Sequence, residues 1–168
     1  MTTLEYLNAT SEDAFVDEIG YVFEGSPWIA RKAAARRPFA DVKALHAAMV
    51  GVVAAASGES QVALIAAHPE LAGKIAREGL LTASSLTEQA AAGLHTLTTP
   101  EAERFDELNA AYHARFAFPF VICVREHEKT SILAELERRC ANERSEEIAT
   151  ALGEIAKIAR LRLEEAIY

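Results

Sequence analysis

Apolar residues recur three and four positions apart along most of this chain, in alanine-rich runs separated by Ser, Thr or Asp followed by Pro or acidic residues. That is the period of amphipathic helices with their start signals, and it predicts an all-α fold, a single compact multi-helix domain over residues 1–168. Ser26-Pro27 reads as an N-cap with proline at the first helical position, and the helix it opens must stop near Arg37 because Pro38 disfavours α geometry in the residue before it. Asp41 caps the next helix, with Gly58 as its left-handed terminator. Thr99-Pro100 begins a helix to about Arg115, and two more fit at roughly 131–141 and 146–167, the last capped by Ser145.

One segment breaks this period. Phe116-Ala-Phe-Pro-Phe-Val-Ile-Cys-Val124 is apolar, β-branched toward its end and interrupted by Pro119, so it predicts an extended stretch over about 117–124 that resembles a strand. An all-α chain offers a lone strand no partner, yet buried backbone N–H and C=O groups must be satisfied. Either the segment pairs irregularly with loops, or its main chain faces a cavity whose ligand supplies the missing bonds. The second possibility makes Phe120, Val121, Ile122, Cys123 and Val124 a candidate binding wall.

Three polar features stand out against the helical pattern. In Ala66-Ala-His-Pro-Glu-Leu71 a helical run is broken at His68-Pro69, and Glu70 reads as the opening of a new helix. His68 follows Leu64 by four positions, which on a continuous helix would turn the imidazole to the core as a structural residue. Pro69 instead biases His68 away from α geometry and frees the ring at a turn, where a titratable group is a candidate for chemistry. Ser85-Leu-Thr-Glu-Gln89 has capping-box spacing, Ser85 at the N-cap and Glu88 at N3. Capping leaves Gln89 unexplained, and a helix N-terminus is also suited to an anionic or amide-rich ligand. On the last helix, positions 148, 152, 155, 159, 162 and 166 form a stripe reading Ile, Leu, Ile, Ala, Arg, Ala. Arg162 is therefore a guanidinium on a core-facing side, either ion-paired internally, with Glu88 for instance, or snorkelling to solvent, or clamping a substrate oxygen.

Composition narrows the function classes. With 17 basic against 25 acidic residues the net charge is -8, the wrong sign for a protein that neutralises phosphates, so nucleic acid is excluded as the expected partner. Half of the 168 residues are hydrophobic and no Pro/Gly/Ser-rich tract occurs, which suits one globular domain. The N-terminal residues lack a signal-peptide pattern, no apolar run is long enough to span a bilayer, and the C-terminus carries no peroxisomal address. Cys123 and Cys140 have no CxxC spacing, so a soluble protein of the reducing cytoplasm is expected, with no membrane partner. His46, His95, His113 and His127 fall in no zinc-binding pattern, and no GxGxxG, Walker or EF-hand spacing appears, so no metal or nucleotide cofactor is expected. Cys123 reads as an inert buried thiol, and Arg31, Lys32, Arg36 and Arg37 as a solvated face.

Four stretches together carry a family resemblance: Ser26-Pro-Trp-Ile-Ala30 with Arg37-Pro-Phe39, Ala67-His-Pro-Glu-Leu-Ala72, Ser85-Leu-Thr-Glu-Gln89 and Phe118-Pro-Phe-Val-Ile-Cys-Val-Arg125. In order and spacing they resemble the motifs of the 2-oxo-4-hydroxy-4-carboxy-5-ureidoimidazoline (OHCU) decarboxylases of urate degradation, over about Ala14 to Ala166. Gly25 departs from the pattern, where histidine often precedes Ser-Pro-Trp. The resemblance implies an all-helical, commonly homodimeric, cofactor-free carboxy-lyase that forms (S)-allantoin from a small-molecule substrate. It implies His68 as the catalytic acid, with Glu88 assisting. It further implies a ligand lined by Pro69, Ser85, Leu86, Thr87, Glu88 and Gln89, by the backbone of Phe120, Val121, Ile122, Cys123 and Val124, and by Arg162. The competing readings are a non-catalytic helical interaction module and a related enzyme acting on another ureido or hydantoin substrate.

Overall fold

A computed structural model describes residues 1–72 and 81–168. Among them are nine α-helices: α1 Leu4–Ala9, α2 Glu12–Ile19, α3 Trp28–Ala34, α4 Val42–Ala54, α5 Gly58–Ala66, α6 Ala83–Ala91, α7 Thr99–Phe116, α8 Lys129–Arg139 and α9 Arg144–Ala166. No β-strand occurs among the described residues, and Thr2 and Ile167 form an isolated bridge. The all-α expectation holds. The chain forms two compact units, Met1–Ala67 with Ile155–Tyr168, and His68–Glu154.

In the first unit the helix starts follow from local chemistry. Thr3, Ser11, Asp41 and Ser57 each accept a hydrogen bond from a backbone N–H of the first turn, Asp41 Oδ1 from Ala44 at 2.6 Å. Such bonds satisfy donors that a helix cannot satisfy itself. The assignment of Gly58 as a terminator is corrected, because Ser57 caps a new helix and Gly58 is its first residue. Helix α3 begins at Trp28, and Ser26 contributes through its carbonyl, which accepts from Ile29 N–H at 3.1 Å. Helices α2, α3 and α4 pack in sequence. Phe15, Ile19, Ile29, Ala33, Leu45 and Met49 form the core there, with Ile155, Ala159 and Leu163 of α9. Arg37 departs from the expected solvated face: half-buried, it donates to the carbonyls of Leu7, Thr10 and Ala34. Beside it, Asn8 and Phe39 exchange two hydrogen bonds of 2.8 and 2.9 Å.

The second unit is built on α7 and α8. Thr98 and Glu101 form a capping box at the start of α7, one residue earlier than Thr99-Pro100 suggested, and Ala117 ends the helix in the left-handed region at φ 61°. Helix α9 starts at Arg144, so Ser145 lies inside it and is not its cap. Tyr112, Phe116, Phe118 and Phe120 make one aromatic cluster with centroid separations of 4.6 to 6.0 Å. Tyr112 donates its hydroxyl to Glu147 at 2.8 Å. Burial, and next the Glu147 carboxylate, raise its pKa well above the ordinary 10.0. The sign is fixed by linkage: above about pH 10 the native state keeps a proton that the unfolded chain releases, so this group removes about 1.4 kcal/mol of stability per pH unit. Urea unfolding between about pH 9 and 11 should show wild type losing stability more steeply than Tyr112→Phe. Equal slopes would refute the linkage.

Candidate active site

Helix α5 ends at Ala66 with Ala67 as its C-cap, so the helix stops two residues before His68 and the imidazole leaves the helical surface. This is the local effect expected of Pro69. His68 is 7% exposed, Pro69 is half-buried and Glu70 is exposed. The new helix expected to open at Glu70 falls mostly on residues 73–80, outside the described residues; Leu71 and Ala72 form a turn.

Two carboxamides hold that turn. Asn109 Nδ2 donates to Leu71 C=O at 2.8 Å, and Gln89 Oε1 accepts from Ala72 N–H at 3.2 Å. Ala72 stands at φ 52°, a conformation that costs a non-glycine residue energy and so needs such support. Gln89, which the family resemblance places at the ligand, thus spends its carbonyl on the turn that follows His68.

His68, Glu70, Asn109, His113, Pro119 and Phe120 line a cavity of about 220 Å³. Asn109 and His113 lie one turn apart on α7 and so share a face. Asn109, 4% exposed, is buried with its Oδ1 lacking a hydrogen-bond partner among the described residues. His113 is exposed, so the cavity runs from a buried imidazole and carboxamide to an imidazole and carboxylate near solvent.

The apolar segment reaches this cavity through Pro119 and Phe120, and it is not a strand. Residues 117–123 are irregular and lead into a 3-10 turn at Val124–Glu126. Phe120, Val121, Ile122, Cys123 and Val124 are all buried, and Phe120 lines the cavity. Val121 C=O accepts from Arg139 Nη1 at 2.9 Å, while Cys123 and Val124 carbonyls accept from Glu126 and His127 N–H. The missing strand partner is therefore partly a side chain. Arg139 and Glu147, 1% and 0% exposed, form an ion pair. Glu147 also accepts from Tyr112 and, at 3.0 Å, from Asn142, and the Arg139 guanidinium lies 4.5 Å from the Phe120 ring centroid.

Helix α6 begins at Ala83 with Thr82 as N-cap, its Oγ1 accepting from Ser85 N–H at 3.3 Å. Ser85 is accordingly inside the first turn, which corrects its assignment as the cap of a box with Glu88. Ser85 and Gln89 are buried on one face and Glu88 is half-buried beside them, while Leu86 and Thr87 are exposed, Thr87 bonding back to Ala83 C=O at 2.9 Å. The helix packs against the turn at Val124–Glu126.

In the first unit Arg162 is 3% exposed and pairs with Glu24 Oε2 at 2.9 Å, with the carbonyls of Tyr21 and Val22 at 3.4 and 3.5 Å. The ion-pair reading is realised, with Glu24 as the carboxylate. The stripe that carries Arg162 is rotated from its sequence assignment: Glu147, Ala151, Ile155, Ile158, Ala159, Arg162 and Leu163 are buried, and Ile148, Leu152 and Ala166 are half-buried. Cys123 and Cys140 are not in a disulfide, and burial raises the pKa of the Cys140 thiol. Among the described residues no group of three His, Cys, Asp or Glu side chains is placed to hold a metal ion.

Asn109, Arg139 and Glu147 escaped the sequence reading, although each occupies an apolar stripe. Phe105, Asn109, Tyr112 and Phe116 form one, and Ile132, Leu136 and Arg139 another. A polar group on a core-facing stripe was the signal available for all three.

Known proteins place this architecture. The OHCU decarboxylase family model matches residues 8–164. The 2-oxo-4-hydroxy-4-carboxy-5-ureidoimidazoline decarboxylase of Haloferax volcanii is 42% identical over 163 residues, 97% of this chain and 95% of that protein. The uric acid degradation bifunctional protein PucL of Bacillus subtilis is 41% identical over 167 residues, 99% of this chain and 33% of that protein. The crystal structure of an (S)-allantoin synthase matches with a TM-score of 0.79 at 28% identity, over 100% of this chain and 54% of that one. A crystal structure of an OHCU decarboxylase in the presence of (S)-allantoin shares the fold, with a TM-score of 0.68 at 18% identity over 93% and 97% of the two chains. A family match spanning both compact units, and a relative this similar over nearly its full length, show that the chain belongs to the OHCU decarboxylase family.

Proposed function

We propose that this chain decarboxylates OHCU to (S)-allantoin in urate degradation, without a cofactor and with stereospecific protonation. The observation that carries the reading is a buried histidine and a buried carboxamide on one small cavity, in a chain of this family. About 220 Å³ lies below the range typical of drug-sized ligands and suits a small metabolite.

The substrate supplies its own electron sink. The bond from the ring carbon to the carboxylate breaks, carbon dioxide leaves, and the electron pair moves toward the adjacent ring C=N, whose nitrogen takes a proton. The enol-like intermediate then gives up its hydroxyl proton to become a carbonyl and gains a proton on the ureido-bearing carbon. One proton is taken up overall. The protein's tasks are to hold the carboxylate in a geometry that favours its loss and to deliver the proton to one face.

His68 is the proposed acid, since an imidazole exchanges protons near neutral pH. Glu88 is proposed to orient His68 or the ureido group. Pro69, Ser85, Leu86, Thr87, Gln89 and the backbone of Phe120, Val121, Ile122, Cys123 and Val124 are proposed ligand neighbours through their motif positions. Arg162 is proposed, on its family position alone, to hold a substrate oxygen. Residues 1–168 are proposed as one OHCU decarboxylase-like domain, supported by the match over 8–164. Resemblance to the family supports a homodimer. The lack of a disulfide fits the cytoplasm, the net charge of -8 speaks against nucleic acid, and no single described helix is long and apolar enough to cross a membrane.

The test is a coupled assay in which the unstable substrate is generated from urate in situ and allantoin is followed by circular dichroism. Wild-type protein should accelerate formation of one enantiomer. Racemic product at the spontaneous rate would reject the proposal and leave an interaction module; turnover of another ureido or hydantoin compound alone would assign a related enzyme.

A further inference from the structure

Asn109 combines three properties that a purely structural asparagine on α7 does not require. It is 4% exposed, it lines the His68 cavity, and its Oδ1 has no partner among the described residues while its Nδ2 is committed to Leu71 C=O at 2.8 Å. The Leu71 bond fixes the amide flip, because rotation by 180° would set Oδ1 against a carbonyl oxygen. A buried carbonyl oxygen left without a donor is costly. The cost is removed when a ligand brings an N–H to it.

We infer that Asn109 Oδ1 is a binding residue that accepts a hydrogen bond from an N–H of the ureido or ring amides of the ligand. The inference rests on the proposed decarboxylase reading and adds a residue to it. OHCU and allantoin are both rich in amide N–H groups, so an acceptor with no proton of its own discriminates for them and against ligands that present only acceptors. The neighbouring groups give Asn109 a second task. Its Nδ2 ties down the turn after His68-Pro69, so one carboxamide anchors the protein on one side and reads the ligand on the other.

The two tasks separate in a pair of variants. Asn109→Leu keeps the shape but removes both donor and acceptor. Asn109→Asp keeps an acceptor in either protonation state and, when ionised, loses the donor to Leu71. The probe is (S)-allantoin, which is neutral and so avoids charge repulsion with an aspartate, titrated calorimetrically into the 168-residue chain.

The expected result is affinity weakened about tenfold to a hundredfold in Asn109→Leu, as for a buried ligand N–H left unpaired, and within about threefold of wild type in Asn109→Asp. Equal weakening in both variants would assign Asn109 to the turn alone and overturn the inference. Unchanged affinity in Asn109→Leu would overturn it too, leaving Oδ1 to a buried water. If wild type formed (S)-allantoin catalytically and bound it while Asn109→Leu bound it equally well, only the inference on Asn109 would fail. If wild type showed neither turnover nor binding, the decarboxylase reading would fail and carry this inference with it.

Discussion

Replacing His68 by Asn or Ala should lower kcat/KM for (S)-allantoin formation by about 10²- to 10⁴-fold, the range that a positioned general acid contributes. His68 stands in a turn past the C-cap of α5, at a cavity, where a smaller side chain enlarges existing space and opens no new void in the apolar core. Thermal melting should therefore stay within about 2 °C of wild type. Residual product from either variant should approach racemic, because protonation then falls to solvent from both faces. Added imidazole should restore part of the rate in His68→Ala, whose cavity can admit it, more than in His68→Asn. Near-normal turnover with preserved enantiomeric excess in both variants would show that the proton comes from elsewhere, and exposed His113 on the same cavity would be the next group to replace.

How far such residues could be seen in the sequence depended on the range of the interaction that defines them. Asp41 was legible as a cap because its partner, the Ala44 N–H, is three residues away. The stretch from Thr82 to Ser85 was harder, since it offers several hydroxyls in four residues and each could cap. The register of α6 selects Thr82 and turns Ser85 inward. Gly58 suggests a stop because glycine commonly ends helices, yet Ser57 immediately before it is a stronger start signal.

The site was legible where a residue conflicted with its surroundings, and illegible where the resolution of that conflict lay far along the chain. His68 beside Pro69, Arg162 on an apolar stripe and the unpartnered segment 117–124 each raised such a conflict. The partners lie far off: Glu24 is 138 residues from Arg162, and Arg139 is 18 residues from the Val121 carbonyl it satisfies. Periodicity can show that a buried charge or carbonyl needs a partner, but not which residue the fold brings to it. The same rule applied to Asn109, Arg139 and Glu147 would have marked them beside Arg162.

The second large effect is expected at the Arg139–Glu147 pair. Either Arg139→Met or Glu147→Leu should destabilise the protein by about 3–5 kcal/mol, because each leaves the other charge buried without its counter-ion. That is a large share of the roughly 5–15 kcal/mol that holds a domain folded, so urea midpoints should fall markedly. The triple variant Arg139→Met, Glu147→Leu, Tyr112→Phe removes both charges and the Tyr112 hydroxyl and should recover part of the lost stability, since Val121 C=O and Asn142 Nδ2 still lose their partners. It should not recover activity to the same degree. Arg139 Nη1 is the donor to Val121 C=O and its guanidinium lies over the Phe120 ring, so the apolar substitute leaves a cavity-lining residue without the contacts that set its position. The expected signature is a urea midpoint well above those of the single variants with kcat/KM still about tenfold or more below wild type, since displacement of a lining residue by a fraction of an ångström degrades a pre-organised site. Full recovery of both quantities would show that the pair serves stability alone and that Phe120 is held by its aromatic neighbours, Tyr112 among them.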